Sequence, residues 1–233
     1  MLTAEWRKLA ILNFDVAPAL LAARVPAGTE LDAWNGRTFL SVVGFMFEDT
    51  RLFGIPIPFH RTFEEVNLRF YVRRKGPEGW RRGVVFVKEL VPRFAIAAAA
   101  RALYGEPYES VPMSHRFEAR GAQLSVRYAW RFRGREHSLR VSVEGEPVPI
   151  EDGSEEEFIA EHYWGYTRQR DGSTREYEVE HPRWLVRRAR EARLDCDVRE
   201  VYGAEFAAAL TAAPSSAFLA EGSAVRVHRG ARL

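Results

Sequence analysis

A predicted β-strand over residues 63–72 places four polar side chains on one face. At every second position it carries Glu65, Asn67, Arg69 and Tyr71. Successive strand side chains point to opposite sides, so these four lie in one row, while Val66, Leu68, Phe70 and Val72 face a core. An acid, an amide, a guanidinium and a phenol suit a small polar ligand. A solvated strand face is the alternative, and the strand alone does not decide between them.

A second candidate for chemistry is Lys88, on a predicted buried strand over residues 83–91. A desolvated lysine has a lowered pKa and can attack a carbonyl group. More often such a lysine pairs with a carboxylate, here Glu65 or Glu89. The sequence leaves both roles open.

Metal, nucleotide and hydrolase motifs are missing from the sequence. The six histidines are His60, His115, His137, His162, His181 and His228. They form no His-x-x-x-His or His-x-His pair, so we predict no metal site. There is no P-loop, no dinucleotide glycine motif and no Gly-x-Ser-x-Gly elbow, and we predict no cofactor.

Two aromatic segments, 162–166 (His-Tyr-Trp-Gly-Tyr) and 180–184 (Glu-His-Pro-Arg-Trp), flank a predicted hairpin. Stacking on nucleic-acid bases is one use of such side chains. Packing in a core or over a sheet edge is the commoner use, and we favour it.

The elements that must position these residues are mostly strands. We predict strands over residues 9–16, 30–34, 37–48, 63–72, 83–91, 122–132, 138–143, 161–169, 174–180, 193–201 and 224–228. We predict helices over residues 18–25, 93–104, 153–160 and 204–211, with Asp15 helping to cap the first. Asn35-Gly36 and Asp171-Gly172 predict tight hairpin turns. Hairpin-length connections indicate a mainly antiparallel α+β protein, which we expect to form a single domain over residues 1–233.

Composition narrows the class of protein. The net charge of +2 on 233 residues argues against general binding to nucleic acid or anionic membrane. The one cysteine, Cys196, excludes an internal disulfide, and its neighbours Asp195 and Asp197 disfavour a reactive thiolate. No apolar run approaches a membrane span, and the N-terminus lacks a secretory pattern. We expect a cytoplasmic protein, compatible with a homo-oligomer.

The strand over 63–72, the loop Gly54-Ile-Pro-Ile-Pro58 and the segment 162–166 together resemble the bacterial YqjF-like family. The resemblance covers nearly the whole chain, and that family is regarded as similar to acetoacetate decarboxylase. It implies a β-barrel-like or conical sheet core with peripheral helices and an internal pocket. It does not imply a shared activity.

Acetoacetate decarboxylases carry a strand acid, a helix and then a Gly-Phe-Pro-Lys-Lys turn, whose first lysine forms a Schiff base. Glu65 resembles the strand acid, and residues 95–104 resemble the helix. The turn resembles Gly105-Glu-Pro-Tyr-Glu109, where Tyr108 and Glu109 stand in the two lysine positions. A phenol cannot form an imine, so we expect no acetoacetate decarboxylase activity of the usual kind.

Three hypotheses follow. In the first, the chain is an enzyme acting on a small carbonyl or carboxylate compound in an internal pocket. Its catalytic residues would be Glu65 as proton acceptor, Tyr108 as proton donor and, as an alternative amine, Lys88. Ligand-binding residues in this hypothesis are Asn67, Arg69, Glu109 and His60. In the second hypothesis the same pocket binds or senses a ligand without catalysis. In the third, these polar residues form satisfied networks of a structural protein.

Overall fold

The computed structural model of the chain describes residues 1–56 and 61–233. His60 and the end of the Gly54–Pro58 loop therefore lie outside the described residues.

Strands dominate the described residues. The strands are β1 (Leu2–Val16), β2 (Glu30–Leu31), β3 (Thr38–Leu52), β4 (Ile55–Pro56), β5 (Phe63–Gly76), β6 (Gly79–Val91), β7 (Tyr108–Ser110), β8 (Met113–Arg120), β9 (Gln123–Phe132), β10 (Arg135–Glu144), β11 (Val148–Pro149), β12 (Trp164–Arg168), β13 (Thr174–Glu180), β14 (Leu185–Asp195), β15 (Ser216–Val227) and β16 (Ala231–Arg232). The helices are α1 (Pro18–Leu21), α2 (Phe94–Tyr104), α3 (Glu155–Ala160), α4 (Val198–Val201) and α5 (Ala207–Thr211), with short 3₁₀ turns at Ala22–Arg24 and Ala204–Phe206.

Seven strands pair in a closed circuit. The order is β13-β12-β6-β5-β3-β1-β15, and β15 pairs again with β13. Within this ring every pairing is antiparallel except β12 with β6. From β15 the sheet continues through β14, β10, β9 and β8. The predicted mainly antiparallel α+β fold is confirmed.

Side chains of the ring strands divide between two cores. Residues 38–47 of β3 are all buried, as their apolar run predicts, because β1 and β5 flank this strand and both of its faces are covered. On β3, Val42 and Met46 belong to a core shared with β9 and β10, whereas Val43, Phe45 and Phe47 belong to a second core inside the ring.

Strand β5 follows the same division. Its predicted apolar face, Val66 to Val72, packs in the core shared with β9 and β10. Its polar face points the other way and is also buried: Glu65 and Asn67 are each 2% exposed. The solvated-face interpretation of these two residues is therefore wrong.

A β-bulge interrupts β6 opposite β5. Leu68 pairs with Lys88 and Arg69 pairs with Phe86, which leaves Val87 as an extra residue on β6. One extra residue shifts the alternation of side chains by one position. As a result Phe86 and Glu89, rather than Phe86 and Lys88, point to the inside of the ring.

Three local predictions are wrong. Residues 193–201 are not one strand: β14 ends at Asp195, and the Asp197 side chain then caps α4 by accepting a hydrogen bond from the Glu200 amide at 3.2 Å. Asn35-Gly36 does form a turn with positive φ at both residues, but the preceding strand β2 pairs with β5 instead of β3. Asp15 does not cap α1, because it pairs with Arg37 at 2.7 Å.

Candidate functional site

A cavity of about 150 Å³ lies inside the ring, and all seven ring strands contribute side chains to its wall. Much of the wall is apolar: Leu2, Trp6, Leu9, Val43, Phe45, Phe47, Phe63, Val84, Phe86, Ile96, Val179, Trp184 and Val227. The ionisable and amide side chains in the wall are Glu65, Asn67, Arg69, Glu89, Glu106, Tyr108, His162, Tyr177 and His181. A mostly apolar cavity with a few convergent polar groups is the usual form of a small-molecule site.

Three glutamates share this cavity. Glu65 on β5, Glu89 on β6 and Glu106 in the turn after α2 are 2%, 2% and 3% exposed. Strands β5 and β6 lie side by side, and Asn67 on β5 pairs with Glu89 on β6. The third glutamate is positioned by the end of α2, where Gly105 adopts a positive φ of 76° and stops the helix.

Glu65 accepts two hydrogen bonds. The Asn67 Nδ2 atom donates to its Oε1 at 2.9 Å, and the Tyr108 hydroxyl donates to its Oε2 at 2.8 Å. Tyr108 is in reach because β7 pairs in parallel with β6, which places it beside Glu89. A part-buried phenol in contact with a buried carboxyl forms a short path for a proton.

Glu106 accepts hydrogen bonds on one oxygen only. The hydroxyls of Thr167 and Tyr177 both donate to its Oε1, the latter at 2.7 Å. Its Oε2 atom, the Oε2 atom of Glu89 and the Oδ1 atom of Asn67 have no hydrogen-bond partner among the described residues. All three of these buried atoms are acceptors.

Burial governs the protonation of the cluster. It raises the pKa of Glu65 to about 7, against the opposing hydrogen bonds from Asn67 and Tyr108. It also raises the pKa of Glu106 to about 7, against Thr167 and Tyr177. The pKa of Glu89 rises well above its usual range, through burial and then through the charges of Glu106 and Glu65. Near neutral pH the three carboxyls share protons, because all three charges cannot coexist at low cost in a dry site.

Arg69 contributes a positive charge to the same wall. Its guanidinium donates to the Ile159 carbonyl at 3.3 Å and lies 5.6 Å from the centre of the Tyr71 ring. No carboxylate among the described residues lies in ion-pair contact with it, and its Nε atom is buried without a partner. Such a guanidinium is suited to holding the carboxylate of a small molecule.

Two neutral histidines accompany Arg69. Burial lowers the pKa of His162 to about 4, and burial likewise lowers the pKa of His181 to about 4. His162 contacts Asp32 at 3.3 Å. Burial tends to raise the pKa of Asp32, but hydrogen bonds from His162 and Arg82 outweigh it and hold that pKa at about 2.

Four of the predicted site residues come together in the structure. Glu65, Asn67, Arg69 and Tyr108 all lie in the wall of the cavity. Whether they bind a ligand or take part in catalysis remains a prediction.

Two further predicted residues lie elsewhere. Lys88 and Glu109 pair with each other at 3.0 Å and do not line the cavity. The expected pairing of Lys88 with Glu65 or Glu89 is wrong, because the bulge at Val87 turns Lys88 outward onto the Phe132 ring. His60 lies outside the described residues.

Sequence reasoning did not assign Glu89, Glu106 or Tyr177 to the site. Glu106 is the second residue of the turn 105–109 that resembles the decarboxylase motif. Its place in that turn is a signal in the sequence that could have identified it. Glu89 follows Lys88, but only the bulge shows which of the two faces inward. Tyr177 reaches Glu106 across β12, where Gly165 leaves room for its ring.

Both aromatic segments pack against other parts of the chain. Tyr166 is fully buried and Trp184 is 3% exposed. Trp184 lies edge-on against Trp6 of β1, with ring centres 6.4 Å apart. These contacts are the packing role that we favoured for the two segments.

Outside the cavity, one group of described residues has metal-ligand spacing. The ligand atoms of Glu178, Glu180 and His228 lie within 4.8 Å of one another, partly exposed, and His228 already contacts Glu180 at 2.6 Å. Burial and then the charges of Asp197 and Asp195 raise the pKa of the Cys196 thiol to about 12, as its neighbours predict. Within the described parts of the chain, no helix has the length and apolarity needed to cross a bilayer.

The chain is similar in sequence to uncharacterised proteins. The profile of the DUF2071 family, described as "Uncharacterized conserved protein", matches residues 3–224. "Uncharacterized protein YqjF" of Bacillus subtilis (strain 168) is 28% identical over 187 residues, which are 79% of this chain and 74% of that protein.

Two solved structures share the fold. The enduracididine biosynthesis enzyme MppR, complexed with the condensation product of pyruvate and imidazole 4-carboxaldehyde, is similar at a TM-score of 0.72 and 13% identity, over 100% of this chain and 89% of that one. Acetoacetate decarboxylase from Legionella pneumophila is similar at a TM-score of 0.67 and 13% identity, over 100% and 86%. At this identity the similarity shows the fold alone.

Proposed function

The chain belongs to the DUF2071 family, and from the chemistry of its cavity we propose that it binds a small carbonyl or carboxylate compound inside the ring, without forming an imine. The observation that carries this proposal is Arg69, a guanidinium in a mostly apolar cavity wall with no ion-pair partner among the described residues. A part-buried guanidinium of this kind can be paired by an anionic ligand.

The carbonyl end of such a ligand has a proton path available. Tyr108 and Glu65 are hydrogen-bonded, and the pKa of Glu65, raised by burial to about 7, lets it hold or release a proton near neutral pH. In an enzyme, this pair would move a proton to or from the bound compound.

Imine chemistry has no amine to start from. The chain contains three lysines, Lys8, Lys75 and Lys88. None of the three lines the cavity. Lys8 pairs with Glu221, Lys88 pairs with Glu109, and Lys75 is exposed. The chemistry is therefore acid–base in kind.

The fold neighbours support this class of ligand by analogy only. One of them was solved with a condensation product of pyruvate, so that protein accommodates a small oxo-acid derivative. Fold does not decide function, and the proposal rests on the cavity itself.

A calorimetric titration tests the binding. We expect saturable binding of 4-oxopentanoate or of pentanoate, and loss of at least about tenfold in affinity in Arg69→Gln, since a charge-assisted contact contributes about 1.5–3 kcal/mol. Arg73→Gln is the matched control, because Arg73 lies on the same strand but pairs with Glu30 at the surface. Equal affinities in both variants, or no binding of either acid, would contradict the proposal.

The absence of an imine is tested with acetoacetate. We expect no carbon dioxide release of the decarboxylase kind and no lysine adduct after borohydride reduction, as judged by peptide mass spectrometry. An adduct on Lys88 would show that the amine reaches the substrate after all.

Non-catalytic binding is the second candidate, favoured by the missing amine. Proton NMR of the bound acid separates the two. Exchange of the hydrogens next to the carbonyl into deuterated water, faster with protein and slowed in Tyr108→Phe, indicates catalysis. An unchanged exchange rate indicates binding alone.

A further inference from the structure

We propose further that the ligand carries a cationic nitrogen, held by the unpaired oxygens of Glu89, Glu106 and Asn67 while its carboxylate lies at Arg69. The ligand class is then a small amino acid or a related amino carboxylic acid. This inference rests on the proposed carboxylate site at Arg69.

The cavity wall holds more negative groups than positive ones. Three glutamates line it against one arginine, and no ion pair among the described residues includes Glu65, Glu89 or Glu106. Buried carboxyls without cations are costly, so they are either protonated or matched by a positive ligand.

The unpaired atoms of the cluster show what is missing. Glu89 Oε2, Glu106 Oε2 and Asn67 Oδ1 are buried acceptors without donors among the described residues. All three side chains belong to residues that are 2% or 3% exposed and line the cavity. A carbonyl or a carboxylate would bring more acceptors, whereas an ammonium group brings three N–H donors. When the glutamates are ionised, the cluster therefore lacks hydrogen-bond donors, and the N–H groups of an ammonium ligand would supply them.

The cavity glutamates do not form a metal-ligand group within the part of the chain that the structure describes. Among the described residues, ligand atoms within 4.8 Å of one another occur in the surface group of Glu178, Glu180 and His228, and the cavity glutamates do not form such a group. A single metal ion needs oxygens at about 2.0–2.6 Å from one point, whereas N–H donors reach acceptors at about 2.7–3.2 Å in separate directions.

The cavity volume limits the ligand's size. Protein cavities of about 150 Å³ hold one benzene-sized molecule. A ligand of about six to eight non-hydrogen atoms fits this space. Amino acids with an unbranched chain of three to five carbons fall in this range, and the six-carbon amino acid, which is one atom larger, tests its upper limit.

The experiment compares four probes by calorimetry: 5-aminopentanoate, pentanoate, pentylamine and 5-hydroxypentanoate, with 3-aminopropanoate to 6-aminohexanoate as a length series. We expect one amino acid of the series to bind at least about tenfold more tightly than pentanoate. In Glu89→Gln this preference falls at least about fivefold while pentanoate affinity is retained. Glu109→Gln, an acid outside the cavity, is the control and keeps the preference.

The pH dependence gives a readout that a merely structural cluster does not produce. The other charged or titratable groups in the cavity wall are Arg69, Tyr108, Tyr177, His162 and His181. Burial raises the pKa of both tyrosines well above 10 and lowers the pKa of both histidines to about 4, so these four side chains stay neutral. Only the glutamates then change charge in this wall between pH 6 and pH 8. Ammonium binding requires them ionised, so affinity should rise with pH and protons should be released, as heats in buffers of different ionisation enthalpy report.

The outcomes separate this inference from the proposed function. If pentanoate binds through Arg69 and no amino acid binds more tightly, the cation site is wrong and the proposed function stands. If pentylamine binds through Glu89 and no acid binds, the carboxylate site is wrong, and with it both proposals as stated. If affinity for the amino acids falls with rising pH, the glutamates act as protonated donors and the inference is overturned.

Discussion

Glu89 is the residue whose charge state the fold controls most directly. It is buried on a ring strand, beside Glu65 and Glu106, with one oxygen unpaired among the described residues. Burial and these neighbours raise its pKa well above 4.5. In the folded protein it therefore keeps its proton to a higher pH than in the unfolded chain.

We predict that Glu89→Gln stabilises the protein, and does so more at pH 8 than at pH 5. A raised folded-state pKa means that the folded state binds more protons above pH 4.5, so stability falls as pH rises. Glutamine removes this loss and retains the shape. At pH 8 the gain should be about 1–3 kcal/mol, the cost of an unsatisfied buried polar group. Urea unfolding at both pH values measures it.

Glu65 and Glu106 act in the same sense as Glu89, because burial raises the pKa of each from 4.5 to about 7. The stability that these two glutamates contribute is fully present below pH 4.5. It is lost as the pH rises towards 7, because the folded protein must then release their protons. His162 and His181 act in the opposite sense between about pH 4 and 6.5, because burial lowers their pKa. The histidines contribute equally to the wild type and to Glu89→Gln, so their effect cancels in the difference between the two free energies of unfolding. A difference that does not change with pH would contradict the prediction.

Arg69 is expected to matter more for binding than for stability. It makes no ion pair with Glu65 or Glu109, so its removal leaves no newly unpaired carboxylate. We predict that Arg69→Ala lowers the free energy of unfolding by only about 0.5–1.5 kcal/mol, because it removes one hydrogen bond to the Ile159 carbonyl and no ion pair. Pentanoate affinity should fall at least about tenfold. Thermal melts with and without pentanoate measure both effects, and a loss of about 3–5 kcal/mol would instead show a buried ion pair.

At the scale of elements, the hairpin of β12 and β13 depends on a glycine. Gly165 pairs with Tyr177 across the two strands, and a Cβ atom at 165 would lie 2.1 Å from the tyrosine Cζ. The tyrosine ring therefore covers the bare backbone of β12 and reaches Glu106 beyond it.

We predict that Gly165→Ala destabilises the protein by about 2–6 kcal/mol. Overpacking costs about 1–3 kcal/mol, and a displaced Tyr177 leaves Glu106 without one donor, which costs about 1–3 kcal/mol more. Tyr177→Phe is the matched variant, because it removes the hydroxyl and leaves the ring. Urea unfolding of both variants is the measurement. If Gly165→Ala is no more damaging than Tyr177→Phe, the ring is not displaced.

At the scale of the whole molecule, neighbouring strands of the ring pair over very different lengths. The β12–β13 hairpin meets β6 through two residue pairs and β15 through two residue pairs. Strands β1 and β15, by contrast, pair along most of their length, from Leu2 with Val227 to Asn13 with Ser216. The hairpin also supplies Trp164, Tyr177 and Val179 to the cavity.

We predict faster amide hydrogen exchange in β12 and β13 than in β1, β3 and β5, since local opening requires few ladder bonds to break. A bound ligand should slow this exchange, because the hairpin forms part of the cavity wall. Exchange in the β9–β10 hairpin should not change, since it does not line the cavity. Mass spectrometry of peptic fragments measures both. If β12 is as well protected from exchange as β3, the short pairings of β12 with β6 and of β13 with β15 do not limit local stability.

The sequence by itself determined the features that depend on neighbours along the chain. Alternation predicted β5 and its two faces, and an unbroken apolar run predicted the buried β3. An alanine-rich stretch followed by Gly105 predicted α2 and its end. These signals are local, because side-chain direction follows from backbone period within a few residues.

Only the tertiary structure decided what the polar face of β5 meets. Strands β13 and β15 are far apart in the chain, and their pairing closes the ring. The closed ring encloses the polar face of β5 and makes it a cavity wall. The bulge at Val87 decides that Glu89 faces inward and Lys88 outward, and a bulge depends on the partner strand's register. Glu106 and Tyr177 meet across 71 positions of sequence. No local period encodes such pairings, because they form only when distant strands close the ring.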